Sequence, residues 1–250
     1  MWGYTTSTPN AYTYNYDALN RLTNATRSGT VMSEVIGYDD MGNIKTLKRD
    51  TNPITTYTYH NSGKSNRLLS LAGGLIGSYT YDGNGNAMTD RTELNFSYNQ
   101  LNLPKTVSKA GTIVNYLYDA TGIKHRKRAI ISGDTIERYY IHNLEYNKDD
   151  NSSPKLERIN IPDGYIQHAA GVYTYHYYLI DHLGNVRSVI KRGSGSTAVD
   201  VVQKQDYYAF GKTKSILTAG NNKYLYNGKE VQPELGDQLD YGARFYDAER

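Results

Sequence analysis

The sequence predicts an all-β protein, a repeat array of antiparallel β-hairpins that forms a curved or spiralling strip. A Tyr followed by Asp, or by a near equivalent, recurs at intervals of about 20 residues, a period typical of stacked supersecondary units. The composition agrees, because the 250 residues include 26 Tyr but only 3 Phe and 1 Trp. Thr, Asn, Ser and Gly are abundant, while long stretches of strong helix formers are missing.

The first strand of each repeat is predicted to end at one of six marked tyrosines, which are Tyr16, Tyr38, Tyr59, Tyr81, Tyr98 and Tyr118. An apolar or aromatic residue stands two positions earlier in every repeat, at Tyr14, Ile36, Tyr57, Tyr79, Phe96 and Tyr116. Because strand side chains alternate between two faces, we expect both members of each pair to lie on one core face.

A turn is predicted four residues after each marked tyrosine, where the chain has Gly or Asn, the residues that most readily accept positive φ. These turn-forming residues are Asn20, Gly42, Gly63, Gly85, Asn102 and Gly122. The Asp that follows the tyrosine is expected to cap the turn by accepting backbone N–H groups two residues on. A short apolar run after each turn, beginning at Leu22, Ile44, Leu68, Leu103 or Ile123, completes the hairpin.

Three segments are predicted within one continuous sheet. Residues 1–146 hold the repeats, and residues 147–172 form a loop-rich connection, since 147–154 are polar and have loop composition. Tyr-rich strands return in residues 173–250. A second exposed loop is expected at 191–196, which combines basic residues with Gly and Ser.

Several classes of protein are excluded by composition. Cysteine is absent, so disulfides and thiolate metal sites are impossible, and no metal or cofactor is expected. No apolar run of about 18 residues exists to span a membrane, and the N-terminus does not resemble a signal peptide. A net charge of +3 is too small to indicate a nucleic-acid partner. The basic cluster 124–128 is interpreted as a solvated strand edge, with an acidic glycan or phosphate backbone as the alternative ligand.

The repeats resemble the YD repeats of the RHS (rearrangement hotspot) family, which teneurins also contain. The C-terminal third is similar to the RHS repeat-associated core in four ordered segments, 178–187, 208–211, 226–230 and 239–247. The residues that carry this core motif are Asp181, His182, Gly184, Asn185, Arg187, Gly211, Gly228, Tyr241, Gly242, Arg244, Tyr246 and Asp247.

The resemblance implies a sheet wound into a hollow shell, which in relatives encloses a variable C-terminal domain, often a toxin. The family's core ends in an aspartate-based self-cleavage segment that releases this cargo. Here the chain ends at Arg250 and has Ala248 in place of the family's Pro, so we expect the core to be truncated before the self-cleavage segment. An aspartate pair needs two carboxylates, and Asp247 alone is not expected to cleave.

The leading hypothesis is a non-catalytic structural fragment of a bacterial RHS shell that shelters a polypeptide cargo such as a toxin domain. Its partners would be that cargo and neighbouring repeats of a larger, exported or cell-surface parent protein, and exposed sheet edges would favour self-association. A carbohydrate-binding surface is the alternative, because tyrosine rings stack on sugar faces. A self-cleaving core is the further alternative, and it depends on the resemblance alone.

Overall fold

The computed structural model describes residues 11–29, 32–150, 152–195 and 197–249. Antiparallel strands make up most of it, which confirms the all-β prediction. The chain divides into two compact units. Unit 1 contains the described residues up to Glu93 together with Tyr208–Lys212 and Glu249, and unit 2 contains Leu94–Tyr207 and Thr213–Ala248. Within the described ranges, no helix has the length and hydrophobicity needed to span a bilayer.

Unit 1 contains a seven-stranded sheet whose strands follow one another in sequence order. These strands are β1 (Tyr12–Tyr16), β2 (Leu22–Arg27), β3 (Ser33–Tyr38), β4 (Ile44–Arg49), β5 (Thr55–Tyr59), β6 (Leu68–Gly73) and β7 (Gly77–Ser78). A 3-10 turn, Asn61–Gly63, lies between β5 and β6. A short hairpin of β8 (Thr80–Tyr81) and β9 (Ala87–Thr89) follows.

Unit 2 continues the pattern of consecutive antiparallel pairing. Its strands are β10 (Asn95–Tyr98), β11 (Pro104–Lys109), β12 (Thr112–Tyr118), β13 (Lys124–Ile131), β14 (Asp134–Ile141), β15 (Leu144–Asp149), β16 (Lys155–Ile161), β17 (Gly164–Ala169), β18 (Val172–Ile180), β19 (Val186–Arg192), β20 (Val199–Tyr207) and β21 (Thr213–Thr218). A three-stranded sheet then comprises β22 (Glu230–Gln232), β23 (Gln238–Asp240) and β24 (Phe245–Tyr246). Two further 3-10 turns span Tyr226–Gly228 and Pro233–Leu235.

The predicted core face is found in the later repeats but not in the first. The core of unit 1 is formed by Ile36, Leu47, Tyr57, Leu68, Leu71 and Tyr79. In β1, by contrast, Tyr14 and Tyr16 are 45% and 58% exposed, so the expectation of a core face is wrong there. The reason is that β1 is last in the order of the described strands, and its rings have a described neighbouring strand on one side only.

The structure also differs from the predicted segment boundaries. The segment 147–172, expected to be loop-rich, holds β16 and β17. The polar stretch 147–154 contains the connection between β15, which ends at Asp149, and β16, which begins at Lys155. Beyond it the expectation of loops is wrong, because polar residues of these strands, such as Arg158, are buried and hydrogen-bonded rather than solvated. The strands described pair into three sheets rather than one continuous sheet. The chain leaves the sheet that contains β10 to β21 after β21, and residues 222–240 cross the buried face of that sheet.

Candidate functional site

Six turns share one pattern of hydrogen bonds around the residue that follows the strand end. In the first turn, Oδ1 of Asp17 accepts hydrogen bonds from the backbone N–H groups of Leu19 and Arg21, both at 2.9 Å. The equivalent pair of bonds is made by Asp39, Asp82, Asn99, Asp119 and Asp181. Each side chain therefore satisfies two donors that the turn leaves unpaired.

A left-handed residue occupies the same place in each of these turns. Its φ is 60° at Asn20, 84° at Gly42, 83° at Gly85, 56° at Asn102, 87° at Gly122 and 79° at Gly184. Gly63 also has a positive φ, of 83°, but it lies in a longer loop that closes between His60 and Arg67. Five of the six turn residues predicted from sequence therefore lie in turns of the capped kind, and Gly63 lies in the longer loop.

Tyrosine hydroxyls link consecutive repeats. Tyr38 donates to the carbonyl oxygen of Leu22 at 2.8 Å, and Tyr59 donates to that of Ile44 at 2.8 Å. Tyr81 makes the corresponding bond to Leu68 at 2.9 Å. Each of these three tyrosines therefore connects its strand to the first residue of the strand after the preceding turn.

Two turns of the same backbone form lack an acidic cap, and the Tyr-Asp pattern missed them. The N–H of Tyr208 donates to the carbonyl of Lys212 at 2.9 Å, and the N–H of Leu225 donates to that of Lys229 at 3.1 Å. Gly211 and Gly228 have φ of 86° and 63°. The spacing of four residues from a tyrosine to a glycine, at Tyr207 and Tyr224, was the signal that could have identified them.

Several predicted core-motif residues of unit 2 lie together at the turn after β18. Asn185 donates from Nδ2 to Asp181 Oδ2 at 2.9 Å, while its Oδ1 accepts the N–H of Asn227 at 2.9 Å. The hydroxyl of Tyr241 donates to Oδ1 of Asn227 at 2.7 Å. The side chain of His182 is exposed in this turn. These hydrogen bonds join the turn at 181–185 to the turn at 226–228 and to Tyr241.

The remaining motif residues lie elsewhere. Arg187 pairs with Asp206 at 2.7 Å. Gly242 has φ 87°, the carbonyl of Arg244 accepts the N–H of Tyr241, and Tyr246 stacks on Tyr226 with ring centroids 6.5 Å apart. Asp247 is buried, and Gly211 belongs to unit 1.

A row of buried polar side chains crosses one face of the sheet in unit 2. The strand register places Lys127 opposite Arg138, Tyr140 opposite Glu145, and Glu145 opposite Arg158. Directly paired residues share a face, so these side chains all point the same way. Arg138 bridges Glu145 at 2.7 Å and Glu157 at 2.8 Å. We call this set the buried polar row.

The buried polar row is covered by residues 222–240, which we call the C-terminal segment. Glu230 accepts Lys124 Nζ at 2.8 Å and the hydroxyl of Tyr140 at 2.9 Å. Asp240 approaches the same Lys124 Nζ at 2.6 Å. Gln232 accepts a hydrogen bond from Lys127 Nζ at 3.1 Å. The C-terminal segment thus supplies the acidic partners for the lysines of β13.

A second group of contacts holds the start of the C-terminal segment. The hydroxyl of Tyr224 donates to Glu145 Oε1 at 2.7 Å. Oδ1 of Asn222 accepts Nη1 of Arg158 at 3.1 Å and the hydroxyl of Tyr178 at 2.7 Å. The guanidinium of Arg158 also lies over the Tyr165 ring, 3.8 Å from its centroid. These bonds satisfy charges that would be costly to bury alone.

The pKa shifts of Glu230 and Lys124 indicate a cluster that is charged at neutral pH. Burial disfavours the charge of Glu230, but Lys124 and Lys127 outweigh it and lower the pKa of this carboxyl to about 2. Burial likewise opposes the charge of Lys124, while Glu230 and Asp240 raise its pKa above the usual value. Burial and the charge of Glu230 hold the pKa of Tyr140 well above its usual range. At neutral pH the cluster therefore consists of charged pairs with a neutral tyrosine donor, an arrangement that suits anchoring.

Apolar contacts complete the covering of the sheet. Leu235 of the C-terminal segment is fully buried, and it packs in a cluster with Leu94, Val107, Val114, Tyr116 and Ala129. The ring of Phe245 lies 5.6 Å from that of Tyr116. Polar and apolar contacts together fix the path of this segment along the sheet.

Known proteins share this architecture. A family model described as Teneurin YD-shell matches residues 2–216. The crystal structure of TcdB2-TccC3-TEV is similar with a TM-score of 0.75 and 19% identity, over 95% of this chain and 14% of that chain. No curated protein matches the chain.

Two further solved structures, the crystal structure of TcdB2-TccC3 and the Photorhabdus luminescens Tc holotoxin pore, each give a TM-score of 0.51. Their identities are 16% and 15%, and 95% of this chain aligns with 17% and 16% of theirs. The chain therefore spans less than a fifth of the length of these structural relatives. At this level of identity the likeness shows the fold.

Proposed function

Because the chain belongs to the teneurin YD-shell family, we propose that it forms part of the wall of a protein shell that encloses a polypeptide cargo. The cargo we propose is a C-terminal domain of a larger parent protein, such as a toxin. Its partners are then that domain and the neighbouring repeats of the parent. The likeness to the Tc holotoxin pore supports an exported or surface-exposed parent protein.

The observation that carries this proposal is the C-terminal segment held against the sheet. Glu230 and Asp240 in this segment converge on Lys124 of the sheet at 2.8 and 2.6 Å. A wall that shelters a polypeptide needs an inner face able to hold an irregular chain by its side chains. The buried polar row does this with charge-assisted hydrogen bonds, which are stronger than neutral ones.

We propose a structural rather than a catalytic role for this chain. The polar residues with shifted pKa values at the buried polar row are engaged in ion pairs and hydrogen bonds that anchor the C-terminal segment. The self-cleaving interpretation depends on the resemblance alone. Mass spectrometry of the purified chain after prolonged incubation tests it, and one intact mass is the expected result.

The carbohydrate-binding interpretation requires exposed tyrosine rings. Tyr38, Tyr59 and Tyr81 are instead partly buried and hydrogen-bonded to the backbone. Among the described residues, exposed rings are found at Tyr14 and Tyr16 on β1 and, as the longest row, at Tyr173, Tyr175 and Tyr177 on β18. Carbohydrate binding stays a prediction for that strand, and an array of glycans probed with the whole chain tests it.

Protease protection tests the shell proposal. The parent protein, carrying its natural flanking sequence, is digested alongside the cargo domain expressed by itself. We expect the cargo to resist proteolysis in the parent and to be degraded when alone. A Glu230→Gln parent should lose part of this protection, while a Glu249→Gln parent, altered in an ion pair that is partly exposed, should keep it. Equal digestion of free and parental cargo would reject enclosure.

A further inference from the structure

The turn after β5 differs from the others at its capping residue. His60 stands where the related turns have Asp or Asn. Its N–H donates to the carbonyl of Arg67 at 3.0 Å, just as the N–H of Asp17 donates to that of Arg21 at 3.0 Å. The two turns therefore close in the same way, although the His60 loop is three residues longer.

Arg67 is the structural counterpart of Arg21. Arg21 lies over the Tyr38 ring, 4.7 Å from its centroid, and its Nε pairs with Asp17 at 2.7 Å. Arg67 lies over the Tyr81 ring in the same manner, at 6.0 Å. The cation and the ring are thus retained in this turn, while the carboxylate is replaced.

The replacement leaves positive charge without a partner. Among the residues that the structure describes, no carboxylate forms an ion pair with Arg67, and the buried Nε2 of His60 has no hydrogen-bond partner. Lys64 adds a second cation to the loop. The nearby Asp82 carboxylate accepts hydrogen bonds from Asn84 and Asn86 within its own turn, and the Arg67 guanidinium is therefore still able to pair with an added anion.

A cavity of about 240 Å³ lies at this position, lined by His60, Asn61, Ser65, Arg67 and Tyr81. The His60 ring meets the Tyr81 ring edge-on, with centroids 5.8 Å apart. Ser65 Oγ accepts the N–H of Arg67 at 3.0 Å, which leaves the hydroxyl proton of Ser65 available to a ligand. The Arg67 guanidinium and the Ser65 hydroxyl thus line one space, beside the His60 ring.

We propose that this cavity binds a small oxyanion, a carboxylate or a phosphate group, in the place that the aspartate carboxylate takes in the related turns. Arg67 provides a planar pair of donors suited to either group. Ser65 provides a further hydrogen bond, the His60 ring lines the cavity, and Tyr81 holds the guanidinium by its ring. The site is independent of the shell function.

The test follows the ring resonances of His60 in the whole chain by NMR. Inorganic phosphate and acetate are titrated separately, at one pH and at constant ionic strength balanced with chloride. We expect saturable changes in the His60 chemical shifts with at least one of the two anions. The anion that binds more tightly shows whether the site prefers a phosphate or a carboxylate group. Arg67→Met should weaken binding roughly tenfold or more, because the variant loses a charge-assisted hydrogen bond to the anion. Arg21→Met is the matched control and should leave binding unchanged.

A His60→Asp variant provides a second measurement. It restores the residue found in the related turns and supplies the carboxylate from the chain. We expect it to melt at a higher temperature than the parent and to gain nothing from the tighter-binding of the two anions, while the parent is stabilised by that anion through ligand linkage. Absence of a saturable shift in the parent, equal affinity in Arg67→Met, or stabilisation by that anion retained in His60→Asp would each overturn the proposal.

Discussion

Lys124 and Glu230 are 106 residues apart in the sequence, yet Nζ and Oε2 of these side chains lie 2.8 Å apart in the interior of unit 2. The exposed fractions of the two side chains are 16% and 4%. This ion pair joins the first residue of β13 to the first residue of β22. It therefore connects the sheet directly to the C-terminal segment.

Glu230→Gln tests the energetic importance of this pair. The substitution keeps the shape but leaves Lys124 with less compensating charge in a buried setting, so we expect a loss of about 3–5 kcal/mol in the free energy of unfolding. Urea denaturation measures it. Glu249→Gln is the control, because its 2.7 Å pair with Lys212 is partly exposed and should contribute about 0–1 kcal/mol. Similar losses in both variants would contradict the anchoring role of Glu230.

Acid should weaken the same contact. The pKa of Glu230 falls from an ordinary 4.5 to about 2 in the folded chain, so its contribution is complete above pH 4.5 and is lost as the pH falls towards 2. The shift corresponds to roughly 3 kcal/mol. We expect Glu230→Gln to show a smaller drop in stability than the parent between pH 5 and pH 2 (about the range of this titration). Parallel pH profiles of the two proteins would argue against it.

Gly42→Val tests the left-handed turn position. Gly42 has φ 84°, and a Cβ at this residue would meet no atom within 4 Å, so the cost comes from the backbone alone. We expect a loss of about 1–3 kcal/mol. Gly42→Asn should cost less, because Asn20 and Asn102 occupy equivalent positions at φ 60° and 56°. Thermal unfolding distinguishes them, and equal melting temperatures for Val and Asn would refute the explanation.

Tyr59→Phe tests the link between repeats. It removes the hydroxyl that donates to the carbonyl of Ile44 at 2.8 Å in a partly buried site. The expected cost is about 1 kcal/mol. Tyr175→Phe is the control, since its ring is 53% exposed and its loss of a hydroxyl should be nearly neutral. Denaturant melts that show no difference between the two would exclude a stabilising role for the Tyr59 hydroxyl.

The hairpins could be predicted from sequence because their chemistry is local. Asp17 and Asn20 act within one turn, so a fixed spacing in the sequence corresponds to a fixed geometry. The turn at Tyr208 escaped the same reasoning because an aromatic residue replaces the acidic cap while the backbone bonds persist. The spacing of four residues from Tyr207 to Gly211 is the sequence feature that predicts this turn.

The buried polar row could not be predicted in this way. No period links Lys124 to Glu230, and a charged residue that is paired in the interior has the same sequence signature as one in solvent. The burial of Arg158 illustrates this, because it lies in the segment 147–172, which is predicted to be loop-rich, and yet it is buried in β16. Long-range ion pairs such as this one can be identified only when the strand register and the path of the folded chain are known.

The extended loop between His60 and Arg67 has a consequence for protein engineering. It accommodates three more residues than the first turn while the closing hydrogen bond keeps the same length of 3.0 Å. The strands on either side remain paired in the antiparallel ladder of β5 and β6. Turns of this type are therefore suitable insertion points for an epitope tag or a fluorophore label in a YD array.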